Sequence, residues 1–251
     1  MTETEPLAMQ VHGIGKTFGH VEALADVSFS IRAGEVLAIL GDNGAGKSTL
    51  IKILSGVYDA DAGHLEVQGE KVDFHKPSDA SDAGIATVYQ DLALVDTRDV
   101  AANIFLGREF TRGPFVDRKR MYEEARAEID KLSLKLPSVK VAVGLLSGGQ
   151  RQAVAIVRAA SLGSRIIIMD EPTAALGVTE SARVMELAER LRDAGLAVVI
   201  ISHNLQQIWP IADRFLVMRL GRVAGVREKS KTTVDGLIKL IMHGETTTEG
   251  N

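Results

Sequence analysis

The sequence contains no cysteine among its 251 residues. This absence excludes a disulfide framework and any metal site built from thiolates. Long apolar runs are also lacking, since stretches such as 196–201 are far shorter than the roughly 20 residues that span a bilayer. The acidic start, MTETEPLAMQ, does not have the positively charged and then apolar pattern of a signal peptide. If the chain works at a membrane, we expect it to bind there through a partner.

An excess of positive charge is missing as well. The chain has 29 basic and 33 acidic residues, which give a net charge of -4. A surface that neutralises nucleic-acid phosphates needs the opposite balance, so we do not expect nucleic acid as a partner. The length suits one large α/β domain, and 45% hydrophobic and 25% charged residues are ordinary values for a globular protein.

Apolar patterns predict two kinds of strand. Residues 27–32 alternate apolar and polar side chains, which is typical of a half-buried strand and predicts an antiparallel β-layer near the N-terminus. Unbroken apolar runs predict strands of a parallel sheet that is buried on both faces, and these runs are 36–40, 166–169 and 198–201. Between the last two, apolar residues recur with helical spacing at Val184, Leu187, Ala188 and Leu191, as in a strand-helix-strand crossover.

Residues 91–163 show helical rather than strand patterns, interrupted by turns at Gly113, Pro114 and Pro137. We therefore predict an α/β fold: a mixed sheet flanked by helices, an N-terminal antiparallel β-layer and an inserted helical subdomain. In this interpretation one domain fills 1–251. Its core is formed by 1–90 and 164–243, its helical subdomain by 91–163, and the polar tail 244–251 is disordered.

The segment GDNGAGKS follows the first buried strand and leads into an apolar, helix-like segment, which is the context of a P-loop. Glycines let backbone N–H groups surround phosphates, and the helix N-terminus adds a favourable dipole. Lys47 supplies a positive charge for the β- and γ-phosphates, and Ser48 offers a hydroxyl to Mg²⁺. The alternative is a glycine-rich turn with a solvated lysine. The predicted nucleotide-binding residues of this segment are Gly41, Asp42, Asn43, Gly44, Ala45, Gly46, Lys47, Ser48 and Thr49.

Two carboxylates, Asp170 and Glu171, end the buried run 166–169, at the strand edge where ligands of open α/β sheets bind. We interpret Asp170 as a magnesium ligand and Glu171 as the group that accepts a proton from the attacking water or orients it. Acidic residues are common where strands end in solvated turns, so this pair gains its meaning from the P-loop upstream.

The segment LSGGQ, with Ser147 placed like an N-cap and Gly148, Gly149 and Gln150 after it, opens a second amphipathic helix. A simple Ser-Gly helix cap is the alternative. Together with the P-loop and the carboxylate pair, the segment resembles the signature of the ABC ATPases, and the order and spacing of the motifs agree along nearly the whole chain. In that family ATP lies between the P-loop of one subunit and the signature of another, so the resemblance implies ATP as ligand and a dimer.

The resemblance gives roles to three more residues. Gln90 matches the glutamine that contacts magnesium and the attacking water, and His203 matches the histidine that contacts the γ-phosphate. Phe18 matches the aromatic residue that stacks on adenine. Without the family, Gln90 and His203 would be interpreted as surface or capping residues, and Phe18 equally well as a core residue.

One position departs from the family pattern, because Gly177 stands where many members carry the aspartate of the D-loop. This puts in doubt how tightly the two sites of a dimer are coupled. Several segments, such as SGVYDADAG and GIATVYQDLAL, are similar to ATPases of bacterial monosaccharide importers. Those proteins are commonly two fused copies, and the single copy here implies a homodimer or pairing with a similar subunit.

The importer resemblance implies transmembrane permease partners, an indirect link to a periplasmic solute-binding protein, and a position at the cytoplasmic face of the inner membrane. Two other hypotheses compete with it. A soluble ABC-type ATPase acting on nucleic acid or ribosomes would favour basic surfaces and long insertions. A regulatory module that holds ATP without hydrolysing it would often lack a residue corresponding to Glu171 or His203.

Overall fold

A six-stranded mixed sheet forms the centre of the computed structural model, which describes residues 6–244. The predicted disordered tail, 244–251, lies outside the described residues apart from Gly244. Five neighbouring strands of the sheet are parallel and the edge strand β12 is antiparallel, so the predicted α/β class with a mixed sheet is confirmed. In spatial order the strands are β12 (Arg222–Glu228), β11 (Arg214–Arg219), β3 (Val36–Leu40), β10 (Ala197–Ile201), β9 (Ile166–Asp170) and β6 (Ile85–Val88).

Side chains of the central strands alternate between two separate apolar cores. In β9, Ile167 and Met169 join one core, whereas Ile166 and Ile168 join the other. Because neighbouring side chains point to opposite faces of a strand, an unbroken apolar run is what a sheet covered on both sides requires. The runs predicted as buried strands have this role.

The predicted antiparallel β-layer is a four-stranded sheet that packs over one of these cores. Its inner face contributes Met9, Val11, Val27 and Leu65, and its outer face carries polar side chains. The predicted strand 27–32 is the second half of a longer strand. In spatial order the layer consists of β2 (Val21–Arg32), β1 (Leu7–Phe18), β4 (Ala62–Val67) and β5 (Glu70–Val72).

Most of the helices cover the opposite core, whereas α1 and α2 lie on the β-layer side. None of the helices in the described part of the chain is both long and apolar enough to cross a membrane. The helices are α1 (Lys47–Leu54), α2 (Pro77–Asp82), α3 (Val100–Ile104), α4 (Arg118–Lys131), α5 (Gly148–Ala160), α6 (Val178–Asp193), α7 (Leu205–Ile208) and α8 (Val234–His243).

The segment between β6 and β9 is built mainly from α3, α4 and α5. It also contains a two-stranded hairpin that the helical patterns do not predict, β7 (Thr111–Arg112) with β8 (Phe115–Val116). Gly113 and Pro114 form its turn, and Phe115 is 76% exposed. Strands of two residues are too short to show alternation, so the sequence predicts the turn at Gly113 and Pro114 but not the strands on either side of it.

A buried ion pair links β11 to the turn before β3. The Arg214 Nη1 atom lies 2.9 and 3.1 Å from the two carboxylate oxygens of Glu35, and the Glu35 carboxylate also accepts a 2.6 Å hydrogen bond from the Arg32 N–H. Burial raises the pKa of the Glu35 carboxyl, although the Arg32 N–H and the Arg214 guanidinium act in the opposite direction. The charge on Glu35 therefore depends on its partners.

We predict that Arg214→Met destabilises the fold by about 3–5 kcal/mol, because it leaves the Glu35 carboxylate buried without its cation. Urea denaturation of the purified chain measures the free energy of unfolding. The matched control is Arg222→Met, which removes an exposed pair with Glu22 and is expected to cost less than about 1 kcal/mol. Equal losses in the two variants would contradict a special role for the buried pair.

Candidate nucleotide-binding site

An open cavity of about 610 Å³ lies where the C-terminal edge of the central sheet meets the β-layer. The cavity is reached by the loops after β3, β6 and β10 and by the end of β9. This is the edge at which open α/β sheets bind ligands. The predicted site residues that line it are Asn43, Gly44, Ala45, Gly46, Lys47, Ser48, Thr49, Gln90, Asp170, Glu171 and His203.

The loop between β3 and α1 has a backbone that only glycine accommodates at position 46. Gly46 has φ +98°, and a Cβ on it would lie 2.8 Å from the Ala23 carbonyl oxygen and 2.7 Å from Leu24 Cδ2. The loop therefore approaches β2 without room for a side chain. Gly46 is also the N-cap of α1 and gives it no side-chain cap, so the first N–H groups of the helix remain available to an anion.

Lys47 extends back over its own loop. Its Nζ atom donates to the carbonyl oxygens of Gly41 at 2.6 Å and Asp42 at 2.9 Å. Burial lowers the pKa of the Lys47 ammonium, and the carboxylates of Glu171, Asp42 and Asp170 partly oppose this effect. Gly41 and Asp42 do not line the cavity themselves, but their carbonyl oxygens hold the Lys47 side chain, which does.

Asp170, the last residue of β9, and the adjacent Glu171 carry the two predicted carboxylates. Burial raises the pKa of the Asp170 carboxyl and the neighbouring Glu171 raises it further, whereas Lys47 and Lys52 lower it. Glu171 has φ +48°, an uncommon conformation for a residue with a side chain, and its N–H donates to the Ile201 carbonyl oxygen at 3.0 Å. Such local strain persists only where the surrounding structure maintains it, and it is concentrated at functional sites.

His203 contacts Glu171 directly. The Nδ1 atom of His203 lies 2.8 Å from Glu171 Oε2, and the imidazole is 68% exposed while the carboxylate is 18% exposed. The two residues come from loops after neighbouring parallel strands, β10 and β9. The structure therefore brings into contact two predicted site residues that the sequence places 32 residues apart.

The predicted cation ligands meet in the same cavity. Ser48 supplies a hydroxyl, Asp170 a carboxylate and Gln90 an amide, so each offers an oxygen atom. Oxygen donors are the ligands that Mg²⁺ prefers. By its chemistry, this donor set fits a magnesium ion next to bound phosphates.

The second glycine segment lies elsewhere. Ser147 caps α5, accepting from the Gln150 N–H at 3.4 Å while the Ser147 N–H donates to Gln150 Oε1 at 3.0 Å. Ser147, Gly149 and Gln150 line a separate cavity of about 360 Å³ beside α6. Gly148 lines a third one, of about 350 Å³, which it shares with Gln90 and Glu171. None of these four residues lines the cavity that contains Lys47.

Comparison with known proteins establishes the family. A sequence model described as ABC transporter matches residues 24–174, which is more than half of the chain. The chain is also 46% identical to the xylose/arabinose import ATP-binding protein of Sulfolobus acidocaldarius, over 93% of both chains. The chain belongs to the ABC transporter family. It is an ABC ATPase, as its motifs predict.

Two further relatives are also named as sugar import ATP-binding proteins. The fructose import ATP-binding protein of Rhizobium meliloti is 46% identical over 87% of this chain and 86% of its own. The ribose import ATP-binding protein of Chromobacterium violaceum is 42% identical over 95% of this chain, which spans only 48% of the relative's length. Relatives of both single and double length are therefore similar to this ABC ATPase.

Solved structures agree with the fold. A crystal structure of the ADP conformation of an ATP-binding cassette of an ABC transporter superposes with a TM-score of 0.81, at 25% identity, over 94% of this chain and 95% of that one. A nucleotide-free ATP-binding cassette from an ABC transporter gives a TM-score of 0.80, at 27% identity, over 88% and 91% of the two chains. The α/β architecture of the ABC ATPase is thus shared along almost its whole length.

Phe18 does not line the nucleotide cavity. It lies at the end of β1 with its ring 5.3 Å from that of Tyr58, edge to face, with Lys16 Nζ 5.6 Å from its centroid. Its side chain is 42% exposed, so the ring is neither a core residue nor a wall of the site. Adenine stacking by Phe18 stays a prediction.

Gly177 occupies the N-cap of α6 and provides no side-chain hydrogen bond there. A Cβ added to it would meet no atom within 4 Å, so an aspartate would fit. The departure from the family pattern is therefore not forced by packing in the single chain of this ABC ATPase.

Several lining residues were missed by sequence reasoning. They come from the start of β2, the segment after Glu171, the end of β10 and the β11–β12 turn, and they are Val21, Glu22, Ala23, Ala174, Ile201, Leu220 and Gly221. Gly221 is held against the loop because its N–H donates to the Ala45 carbonyl oxygen at 3.1 Å. Contacts between distant segments have no local pattern, and only a turn at the Leu-Gly pair could have been anticipated.

We predict that Lys47→Ala lowers the affinity for ATP by roughly 10- to 100-fold, because a charge-assisted contact worth about 1.5–3 kcal/mol is lost from a site that also contains two carboxylates. Binding of a fluorescent ATP analogue to the purified chain measures this. Lys52→Ala, a change five residues further along α1, is the control and is expected to alter the affinity only a few-fold. Unchanged binding in Lys47→Ala would refute the P-loop assignment.

Proposed function

We propose that this ABC ATPase hydrolyses ATP to drive the import of a monosaccharide. The convergence of Lys47, Asp170, Glu171, His203 and Gln90 in one cavity supports the hydrolytic part of the proposal. The sugar import part is supported by the relatives, because each is named for xylose/arabinose, fructose or ribose import and matches nearly the whole chain.

The phosphates of ATP bind the P-loop. Backbone N–H groups from Gly44 to Thr49 and the N-terminus of α1 provide donors, and Lys47 leaves the carbonyl oxygens of Gly41 and Asp42 to pair with the β- and γ-phosphates. Ser48, Asp170 and Gln90 would hold Mg²⁺, which neutralises charge on the β- and γ-phosphates when bound. Phe18, in this proposal, reaches the adenine ring.

Glu171 performs the proton chemistry. Its carboxylate accepts a proton from the attacking water or orients it, and the 2.8 Å contact with His203 Nδ1 fixes the direction in which the carboxylate points. His203 is the more exposed partner, so it is free to contact the γ-phosphate. The raised pKa of Asp170 means that this carboxyl loses its charge more readily than a free one as pH falls.

A second copy of the chain, or a similar ATPase, completes each site. The signature Ser147–Gln150 does not line the cavity that contains Lys47 of its own chain, and only Gly148 reaches a neighbouring cavity that Gln90 and Glu171 also line. The signature of a second subunit supplies the missing donors if two chains close around ATP. In this arrangement each chain contributes to two sites.

We predict that Glu171→Gln lowers the rate of hydrolysis by about 10²–10⁴-fold, because the proton acceptor is lost, while ATP binding is retained. ATP should therefore hold the variant as a dimer, which analytical ultracentrifugation measures. The matched control is Glu171→Gln combined with Lys47→Ala, which should stay monomeric in ATP. A single Glu171→Gln variant that remained monomeric at high protein concentration would argue against the shared site.

Within the transporter we propose that the ABC ATPase is one domain lying at the cytoplasmic face of the inner membrane. The segment 91–163 forms its helical subdomain and moves against the core 1–90 and 164–243 when ATP binds. Gln90, at the junction of the two, links nucleotide to the surface that contacts the transmembrane permease. A periplasmic solute-binding protein delivers the sugar to that permease.

Reconstitution in proteoliposomes tests the import function. The ABC ATPase is assembled with a candidate sugar permease and its solute-binding protein, and ATP hydrolysis is measured with a panel of pentoses and hexoses. We expect one monosaccharide to stimulate hydrolysis several-fold, with no stimulation in the Glu171→Gln variant. A rate indifferent to any membrane partner would contradict the import proposal and favour a soluble ABC-type ATPase.

A further inference from the structure

Two histidines and a glutamate converge on the outer face of the β-layer, away from the nucleotide cavity. His12 in β1 and His64 in β4 are directly paired across the two antiparallel strands. Glu66 follows His64 by two residues, so its side chain is on the same face of β4. The three residues line none of the cavities that contain the P-loop or the signature.

The three side chains point at each other. The rings of His12 and His64 stack with centroids 4.7 Å apart and planes at 17°. Glu66 Oε2 lies 3.8 Å from His12 Nε2, and Glu66 Oε1 lies 3.3 Å from His64 Nε2. One ligand atom from each residue falls within 4.8 Å of the other two. No other group of this kind occurs among residues 6–244.

One atom of the cluster lacks a partner. His12 Nε2 is shielded from solvent and has no hydrogen bond, and it is one of two such buried side-chain atoms in the described part of the chain. A polar atom left unpaired away from water costs about 1–3 kcal/mol. The Nε2 atom faces the Glu66 carboxylate and the His64 imidazole, which are also able to bind a metal ion. A cation between the three would satisfy it.

The backbone around the cluster brings the two histidines close. Gly63 precedes His64 and has φ +84°, and a Cβ there would overlap the carbonyl oxygens of His12 and Gly13. Glycine at this position therefore allows β1 and β4 to approach beside the imidazoles. Gln10, paired with Glu66 across the strands, donates from Nε2 to Glu66 Oε2 at 3.1 Å. Hydrogen bonds of this kind orient the carboxylates that bind metals.

We propose that His12, His64 and Glu66 bind a divalent transition-metal ion of the Zn²⁺ class. Two imidazoles and one carboxylate suit zinc, whereas Mg²⁺ and Ca²⁺ prefer oxygen ligands alone. Ligands bound to zinc at their usual lengths of about 2.0–2.2 Å lie about 3.4 Å apart, so small side-chain rotations bring the three atoms to bonding distance. The ion connects β1 to β4, and a fourth position stays open to water.

Zinc binding to the purified full chain, freed of metal with a chelator, tests the proposal. Competition with a chromophoric chelator measures the affinity. The buffer contains 5 mM Mg²⁺, which exceeds the Zn²⁺ concentration (on the order of 10⁻⁵ M) and therefore occupies the oxygen ligands of the nucleotide site. We expect one tight site per chain. His12→Gln and His64→Gln should each weaken it by at least roughly 100-fold, because a ligand contributes more than the supporting groups whose loss costs about 10–100-fold.

Two matched controls separate this site from other histidines. His75 lies between Asp59 and Asp73, but these contact different ring nitrogens, so the three groups cannot share one ion and His75→Gln should bind Zn²⁺ like the wild type. His203→Gln removes the histidine of the nucleotide cavity and should also leave the tight site intact. Tight binding that is lost in His203→Gln, or retained in both His12→Gln and His64→Gln, would overturn the proposal.

A second measurement guards against misfolded variants. Zn²⁺ should raise the thermal unfolding midpoint of the wild type, because it binds the folded β-layer, and should not raise that of Glu66→Gln. Circular dichroism without metal shows whether Glu66→Gln has folded like the wild type. Co²⁺ bound in place of Zn²⁺ should give visible absorption bands that disappear in the same variant. A wild type without a zinc-dependent shift would refute the site.

Discussion

The close approach of the P-loop to strand β2 of one sheet and to the β11–β12 turn of the other is the constraint on which the site depends. At Gly46 the loop passes Ala23 and Leu24 of β2 without room for a Cβ. The β11–β12 turn lies against the same stretch, because the Ala45 carbonyl oxygen accepts from the Gly221 N–H, and the Gly221 carbonyl oxygen accepts from the Ala25 N–H at 2.9 Å. The loop is thus held against both β2 and the β11–β12 turn. Its shape depends on the assembly of both sheets as well as on its own glycines.

The same assembly sets the electrostatics of the site. Burial raises the pKa of Asp170 and lowers the pKa of Lys47, so each group on its own is pushed toward its neutral form. Each also favours the charged form of the other. The two groups are therefore coupled, and a change in one alters the protonation of its partner. Glu171, with its strained backbone and its contact with His203, completes this network.

Much of the fold was predictable because its core strands have strong local patterns. The runs 36–40, 166–169 and 198–201 are apolar on both faces, as a parallel sheet that is covered on both sides requires. The P-loop and the signature were predictable because glycine, serine and lysine have distinct local roles there. In contrast, the hairpin β7–β8 is too short to show a period. Val21 and Gly221 reach the cavity only through tertiary contacts, and the pairing of His12 with His64 depends on a strand register that no local pattern fixes.

The N-termini of α1 and α5 differ in a way that bears on the proposed sharing of each site between two chains. Helix α1 has no acidic residue in its first turn and no side-chain cap, so its first N–H groups are free to bind phosphate. At α5 the capping box of Ser147 and Gln150 already uses one N–H of the first turn, and Glu180 lies against Gly149. A carboxylate beside a helix N-terminus interacts favourably with its dipole and competes with an added anion. We therefore expect α1 to bind the phosphates first. Helix α5 is expected to contact them only when a second chain presents its bound ATP.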